Sequence, residues 1–160
     1  RELIPSPFAL LVTGADLIVH ANVRPVRSYL SEDRFELFTD YVVTPLRVMY
    51  RRTTQSSKVP GPTAPIVFTT WGGRTLIEGF EVELRDKDAP RLDSDSEVVL
   101  YLREDGGGRY RLVSEITGAL GVKAGRVAFL NTEHAYDEEF RQFEGLSVDQ
   151  LDGQMRLLTK

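Results

Sequence analysis

The chain contains no cysteine. That excludes a disulfide framework, a thiolate nucleophile and a cysteine-bound zinc ion. Histidine is almost as scarce, with two residues in 160, and there is a single tryptophan. No apolar run approaches the roughly 20 residues that span a bilayer as a helix. Positive charge is not in surplus either: 20 Lys and Arg face 24 Asp and Glu, a net charge of −4. Such a chain has no overall basic field for nucleic acid or anionic lipid, and nucleic acid is a poor first expectation. Neither a Gly-x-Ser-x-Gly elbow nor a His-Glu-x-x-His pair occurs, so no familiar hydrolase or zinc-protease signature is present. Internal repeats and low-complexity tracts are also missing.

What is present is ordinary for a folded domain, 41% hydrophobic and 28% charged residues, in a length suited to one core rather than two. The most informative stretch is residues 35 to 50. Phe35, Leu37, Thr39, Tyr41 and Val43 share one face at the strand period of two; after Pro45 the apolar set moves to Leu46, Val48 and Tyr50. A phase slip of one residue calls for a β-bulge near Thr44–Pro45, where proline's missing N–H is tolerated. A long bent strand of this kind is how a small sheet curls into a barrel.

Around it the chain reads in order. Residues 5 to 15 predict a short helix capped by Ser6, with Pro7 at its first position and Phe8, Leu11, Val12 and Ala15 as its apolar stripe. Asp16 to Val26 alternates as a half-buried strand, and residues 28 to 34 form a polar connection into the long strand, completing an antiparallel hairpin. Residues 51 to 65 read as an exposed loop. Ile66–Trp71 and Thr75–Leu84 predict a second hairpin turning at Gly72–Gly73. Residues 85 to 96 form a charged loop. Val98–Leu102 is a compact apolar strand, which Gly106 to Gly108 turn into Tyr110–Val113. Residues 119 to 130 hold a last hairpin with its turn at Ala124–Gly125. Near the C-terminus, Ser147 with Gln150 forms a capping box, Leu146 and Leu151 a hydrophobic staple, and Val148, Leu151, Met155 and Leu158 an amphipathic face. That helix is expected to dock on the barrel or on another chain, the second making a homodimer.

The segments Ala15–Val23, Thr39-Asp40-Tyr41 with Val43 and Val48, Gly72–Gly73, Val98–Leu102 and the late Gly118 resemble a group of uncharacterised bacterial exported or envelope-associated proteins. More distantly the layout is similar to the OB-type barrel of netrin and metalloproteinase-inhibitor modules. The resemblance spans about residues 8 to 130. It implies a secreted, periplasmic or cell-envelope setting and a non-enzymatic role; separately, a start at Arg1 suits a processed protein or a trimmed chain. Arg51–Arg52 departs from the Lys-Gly often found after that strand, and the N-terminal cysteine through which the inhibitor modules chelate zinc is missing, so no inhibitory residue carries over.

Several constellations compete for a functional role. Asp93, Asp95, Glu97 and Glu104 have EF-hand-like spacing, but the sixth position is Val98 within a strand, which cannot wrap a cation; a solvated acidic loop is the better reading. Glu133, His134 and Asp137 are a close set of metal-ligand types with no zinc motif to accompany them, and His20 falls on the polar face of its strand. Gly106 to Gly108 lack the following helix that a phosphate cradle uses, so they read as a hairpin turn. OB barrels bind ligands on the face of their middle strands, and Arg47, Arg51, Arg52 and Lys58 with Tyr50 and Trp71 offer cations beside aromatics. The sequence therefore predicts one domain: a helical lead-in over residues 1–15, an all-β, OB-like and partly open barrel of about eight strands over 16–130, and a C-terminal connection and helix over 131–160. Its expected role is a non-catalytic interaction module with no cofactor, meeting a protein partner through Tyr50, Arg51, Arg52, Trp71, Gly72 and Gly73. The rival readings are a metal-dependent or hydrolase-like enzyme and a nucleic-acid-binding OB domain.

Overall fold

The computed structural model describes residues 7–52, 66–85, 92, 95–106, 108–115, 117–130 and 138–159. Its first element is α1 (Pro7–Thr13), within the predicted helix; the expected cap Ser6 lies outside the described residues. Among the described residues nine strands follow: β1 (Leu17–Leu30), β2 (Leu37–Arg51), β3 (Ile66–Trp71), β4 (Gly73–Ile77), β5 (Phe80–Leu84), β6 (Ser96–Glu104), β7 (Arg109–Leu112), β8 (Ala119–Lys123) and β9 (Arg126–Ala128). Two helices close the chain, a single turn α2 (Glu138–Arg141) and α3 (Val148–Arg156).

Five strands form the barrel in the order β1-β2-β3-β7-β6, and β6 pairs back onto β1 over Leu17↔Leu102 to Val23↔Ser96, so the ring is closed rather than partly open. Every junction is antiparallel except β3·β7, a short parallel contact at Val67↔Arg109 and Phe68↔Tyr110. β8 continues along the same edge of β6 that β7 uses and carries β9 beyond it.

Closure depends on bends in the first hairpin. The β1·β2 register slips at three places, leaving Met49, Leu46 and Val26 without partners. The slip beside Pro45 is the one the phase change predicts, with the extra residue at Leu46. Leu46 is therefore turned outward and exposed, contrary to the expected inward set, while Val48 does face the barrel interior. The second slip, at Met49, sends Tyr50 with Ile18 to the outer side of the wall. Phe35 is not in the strand; it sits in the connecting loop and is 87% exposed. The third slip explains why β1 runs on to Leu30 where a polar connection is predicted: Val26 bulges next to Pro25, and a bulge accommodates proline in a ladder.

Two cores share one wall. Inside the barrel lie Leu17, Val19, Val43, Phe68, Leu100, Leu102 and Tyr110, among others. On the outer side of β1, β6 and β8, Ile18, Val99, Tyr101 and Leu120 pack against Phe8, Leu11 and Val12 of α1, Phe140 of α2, Phe143, and Leu151 and Met155 of α3. Strands covered on both faces read as continuous apolar runs, which accounts for Val98-Val99-Leu100-Tyr101-Leu102. The Tyr101 hydroxyl, fully enclosed, donates to Met155 Sδ at 3.2 Å, and burial pushes its pKa far up.

α3 is held by more than its apolar face. Its capping box is formed in both directions, Ser147 Oγ accepting from Gln150 N and Gln150 Oε1 from Ser147 N. Arg47 on β2 bridges Asp149 and the buried Asp152, which also accepts from Arg156. Leu151 is fully buried between this helix and the wall. Leu151→Ala is expected to cost about 3 kcal/mol, read as a lower urea midpoint with an unchanged slope.

A cleft over a buried carboxylate

Asp40 lies near the start of β2, on the outer side of the barrel wall, and its side chain is 5% exposed. A carboxylate so placed must be surrounded by donors or give up its charge. Three donors and one further cation are arranged around it. Thr69 Oγ1, from the paired position on β3, donates at 2.6 Å; Arg27 Nε and Tyr29 OH, both on β1 beyond its bulge, donate at 2.9 and 3.1 Å; Arg109 Nη1 on β7 stands 3.6 Å away. Burial alone pushes the Asp40 pKa up, but the hydrogen bonds from Thr69, Arg27 and Tyr29 and the Arg109 charge outweigh it, and the group is held below its ordinary value.

Above this carboxylate is an open cleft of about 370 Å³. It forms where β3 and β7 stop pairing, past Phe68↔Tyr110. Tyr29, Phe38, Thr69, Arg109 and Arg111 face it, with Ser31 and Glu32 on one wall and Asp105 on the other. The rings of Tyr29 and Phe38 are 6.2 Å apart; the Arg27 guanidinium lies 4.6 Å above the first and that of Arg111 5.7 Å from the second. Asp105 fixes Arg111 by accepting from its Nε at 2.7 Å.

The walls are preformed by local chemistry. In the β1–β2 loop, Ser31 Oγ donates to Asp33, Asp33 Oδ1 accepts from Phe35 N at 3.0 Å, and Ser31 Oγ accepts from Glu36 N at 3.1 Å. The Ser31 hydroxyl and the Phe35 amide hold the Asp33 pKa down. On the other wall, Gly106 and Gly108 supply positive φ for the predicted β6–β7 turn.

The residues singled out in the sequence are dispersed. Tyr50 pairs with Ile18 and packs on the helical core. Arg51, opposite Leu17, is near Tyr110, whose pKa burial raises, Glu104 and Asp16 assisting and Arg51 opposing. Arg52 donates to the Thr13 carbonyl and pairs with Asp16 at 3.4 Å, which closes the C-terminal end of α1. Trp71 stands at the opposite end of β2 from these three, opposite Phe38, 38% exposed and adjacent to the cleft. Arg47 is committed to α3, and Lys58 lies outside the described residues.

Gly72 and Gly73 do not turn a hairpin between β3 and the next strand, as predicted. They lead the chain out of the barrel into β4, which among the described residues pairs only with β5, through a turn at Glu78–Gly79, both at positive φ. The double glycine is there because neighbours crowd it: a Cβ on Gly73 would fall 2.1 Å from Thr39 Oγ1 and 2.7 Å from Ser28 Oγ, and one on Gly72 would fall 2.8 Å from the Leu84 carbonyl oxygen. Gly72 also accepts from Thr39 Oγ1 at 2.7 Å.

Only part of the acidic and histidine sets lies among the described residues, and that part does not converge. Glu97 lies in hydrogen-bond contact with His20 Nε2 at 2.9 Å, Glu104 is at the far end of β6, and Asp93, Glu133, His134 and Asp137 lie outside the described residues. Among the described residues no group of three potential metal ligands occurs, and no helix is long and apolar enough to cross a membrane.

Two outcomes follow from this geometry. Because the folded pKa of Asp40 is below its unfolded value of about 3.9, its contribution is complete above about pH 4 and is lost as pH falls through the folded value. Asp40→Asn should therefore cost about 2 kcal/mol at pH 7, with the gap to the unsubstituted protein closing in urea titrations at lower pH. Gly73→Ala should cost about 2 kcal/mol or more, whereas Gly79→Ala, which meets nothing within 4 Å, should cost about 1 kcal/mol from φ alone; equal losses would rule out the clash. Compared with family models, curated proteins and solved structures, the chain has no match.

Proposed function

We propose that this chain is a non-catalytic binding module whose ligand sits in the cleft above Asp40. The observation that carries the reading is the buried carboxylate itself: it spends a charge beneath the surface to hold Arg27, Tyr29 and Arg109 in position, and preorganised groups around an open cleft are what a binding site requires. In OB barrels the face of the second and third strands, flanked by the loops after the first and fourth strands, is where ligands bind. Here that face carries Phe38 and Thr69, between the β1–β2 loop and the β6–β7 turn. The exposed Phe35 and Trp71 extend the apolar surface on either side and suit a protein partner. Asp40 is a poor acid or base at neutral pH, since its pKa is depressed and its oxygens are occupied. The bacterial envelope or secreted setting rests on the sequence resemblance.

A ligand-observed NMR screen of a small-fragment library against the full chain tests the site. Hits should perturb the amides of Thr69, Arg109 and Arg111, weaken in Arg111→Ala and persist in Tyr50→Ala. Hits that map instead to Tyr50, Arg51 and Arg52 would overturn the cleft in favour of the opposite end of β2.

A further inference from the structure

Resting on that binding role, we infer that the cleft takes one anionic group, a carboxylate or a phosphate, carried on a flat ring. Charge beside the cleft is unevenly divided. Two guanidiniums, Arg27 and Arg109, share the single carboxylate of Asp40, which leaves one positive charge in excess. Arg27 makes the hydrogen bond. Arg109 at 3.6 Å is beyond hydrogen-bond reach, and its side chain is 50% exposed toward the cleft. It therefore presents donors that Asp40 does not use, and a guanidinium with free donors matches a planar or tetrahedral oxyanion. Arg111 is tethered through Nε to Asp105, which leaves its two terminal nitrogens available on the same side.

The apolar half of the ligand is set by Tyr29 and Phe38. Their rings lie side by side, tilted by 40°, and each already has a guanidinium near its face, so a ring laid across the pair meets aromatic surface and an arginine plane together. The volume, about 370 Å³, is near the lower end of small-ligand sites and suits one ring with one charged substituent. A polyanion fits poorly. Glu32 on one wall, and on the other Asp105, which already occupies Arg111, place negative charge where successive phosphates of a strand would run.

The test uses the full chain labelled with 15N and titrated at pH 7 with phenyl phosphate, phenylacetate, benzyl alcohol, benzylamine and a short oligothymidylate. Phenyl phosphate and phenylacetate should shift the amides of Phe38, Thr69, Arg109 and Arg111 and bind about tenfold more tightly than benzyl alcohol, with benzylamine weakest; the order of the two anions separates phosphate from carboxylate. Arg109→Gln should remove that advantage while leaving the spectrum outside the cleft in place. If benzyl alcohol or benzylamine binds the cleft as well as the anions do, or Arg109→Gln changes nothing, the anion inference falls and the binding cleft stands. Should no probe move any cleft amide, both fall. Oligothymidylate binding more tightly than phenyl phosphate and weakening steeply with salt would overturn the single anion in favour of a polyanion.

Discussion

Closing five short strands into a ring forces the first two to bend, and this constraint shapes the rest of the molecule. β1 has to pair with β6 along its first half, with β2 along its whole length, and still reach past the barrel rim. A regular ladder could not turn so far. The three slips in the β1·β2 register supply the extra twist, and each places an extra residue outward or against the helices: Val26 and Leu46 toward solvent, Met49 into the outer core. The bend at Val26 is what swings Arg27 and Tyr29 onto the face of Asp40. Architecture and candidate site thus have a common origin in the same irregular hairpin.

Asp40 is the second dependence. Its position between β1 and β3 means that removing its charge loosens contacts from three other strands at once, since Arg27 and Tyr29 come from β1, Thr69 from β3 and Arg109 from β7. A buried polar cluster of this kind is stabilising only when every member is satisfied. An apolar residue there would have been adequate for packing against neighbouring strands. The carboxylate instead orders charged and aromatic side chains around an opening in the wall.

How much of this could be read from the chain depends on the range of each interaction. Ser147 and Gln150, Ala124–Gly125, the apolar run from Val98 to Leu102 and the phase slip at Pro45 act within a few residues of themselves, and each was legible. The turn at Glu78–Gly79 was not, because Gly72–Gly73 is the stronger local turn signal and its actual cause, crowding against Ser28 and Thr39, joins segments far apart in sequence. The parallel contact of β3 with β7 leaves no local trace. Asp40 hid for a related reason: one acidic residue in an alternating strand reads as its solvent face, and only the strands brought in on either side convert it into a buried centre. The signals that could have pointed to it were Asp40 between Thr39 and Tyr41 and the alternation of Arg109, Tyr110 and Arg111 after a glycine turn. Arg52 looked available because its partners, the Thr13 carbonyl and Asp16, are brought to it by folding, and Arg51 because only the fold buries its Nε.

The wall shared by the two cores also decides how the chain can be divided. In many barrels the outer surface is polar and the flanking helices are accessories that can be cut away. Here Ile18, Val99, Tyr101 and Leu120 would become a contiguous oily strip if α1, α2 and α3 were removed, and such a strip invites strand-edge association and precipitation. Barrel and helices are thus one indivisible unit, and an excised barrel would be limited by its solubility before its stability.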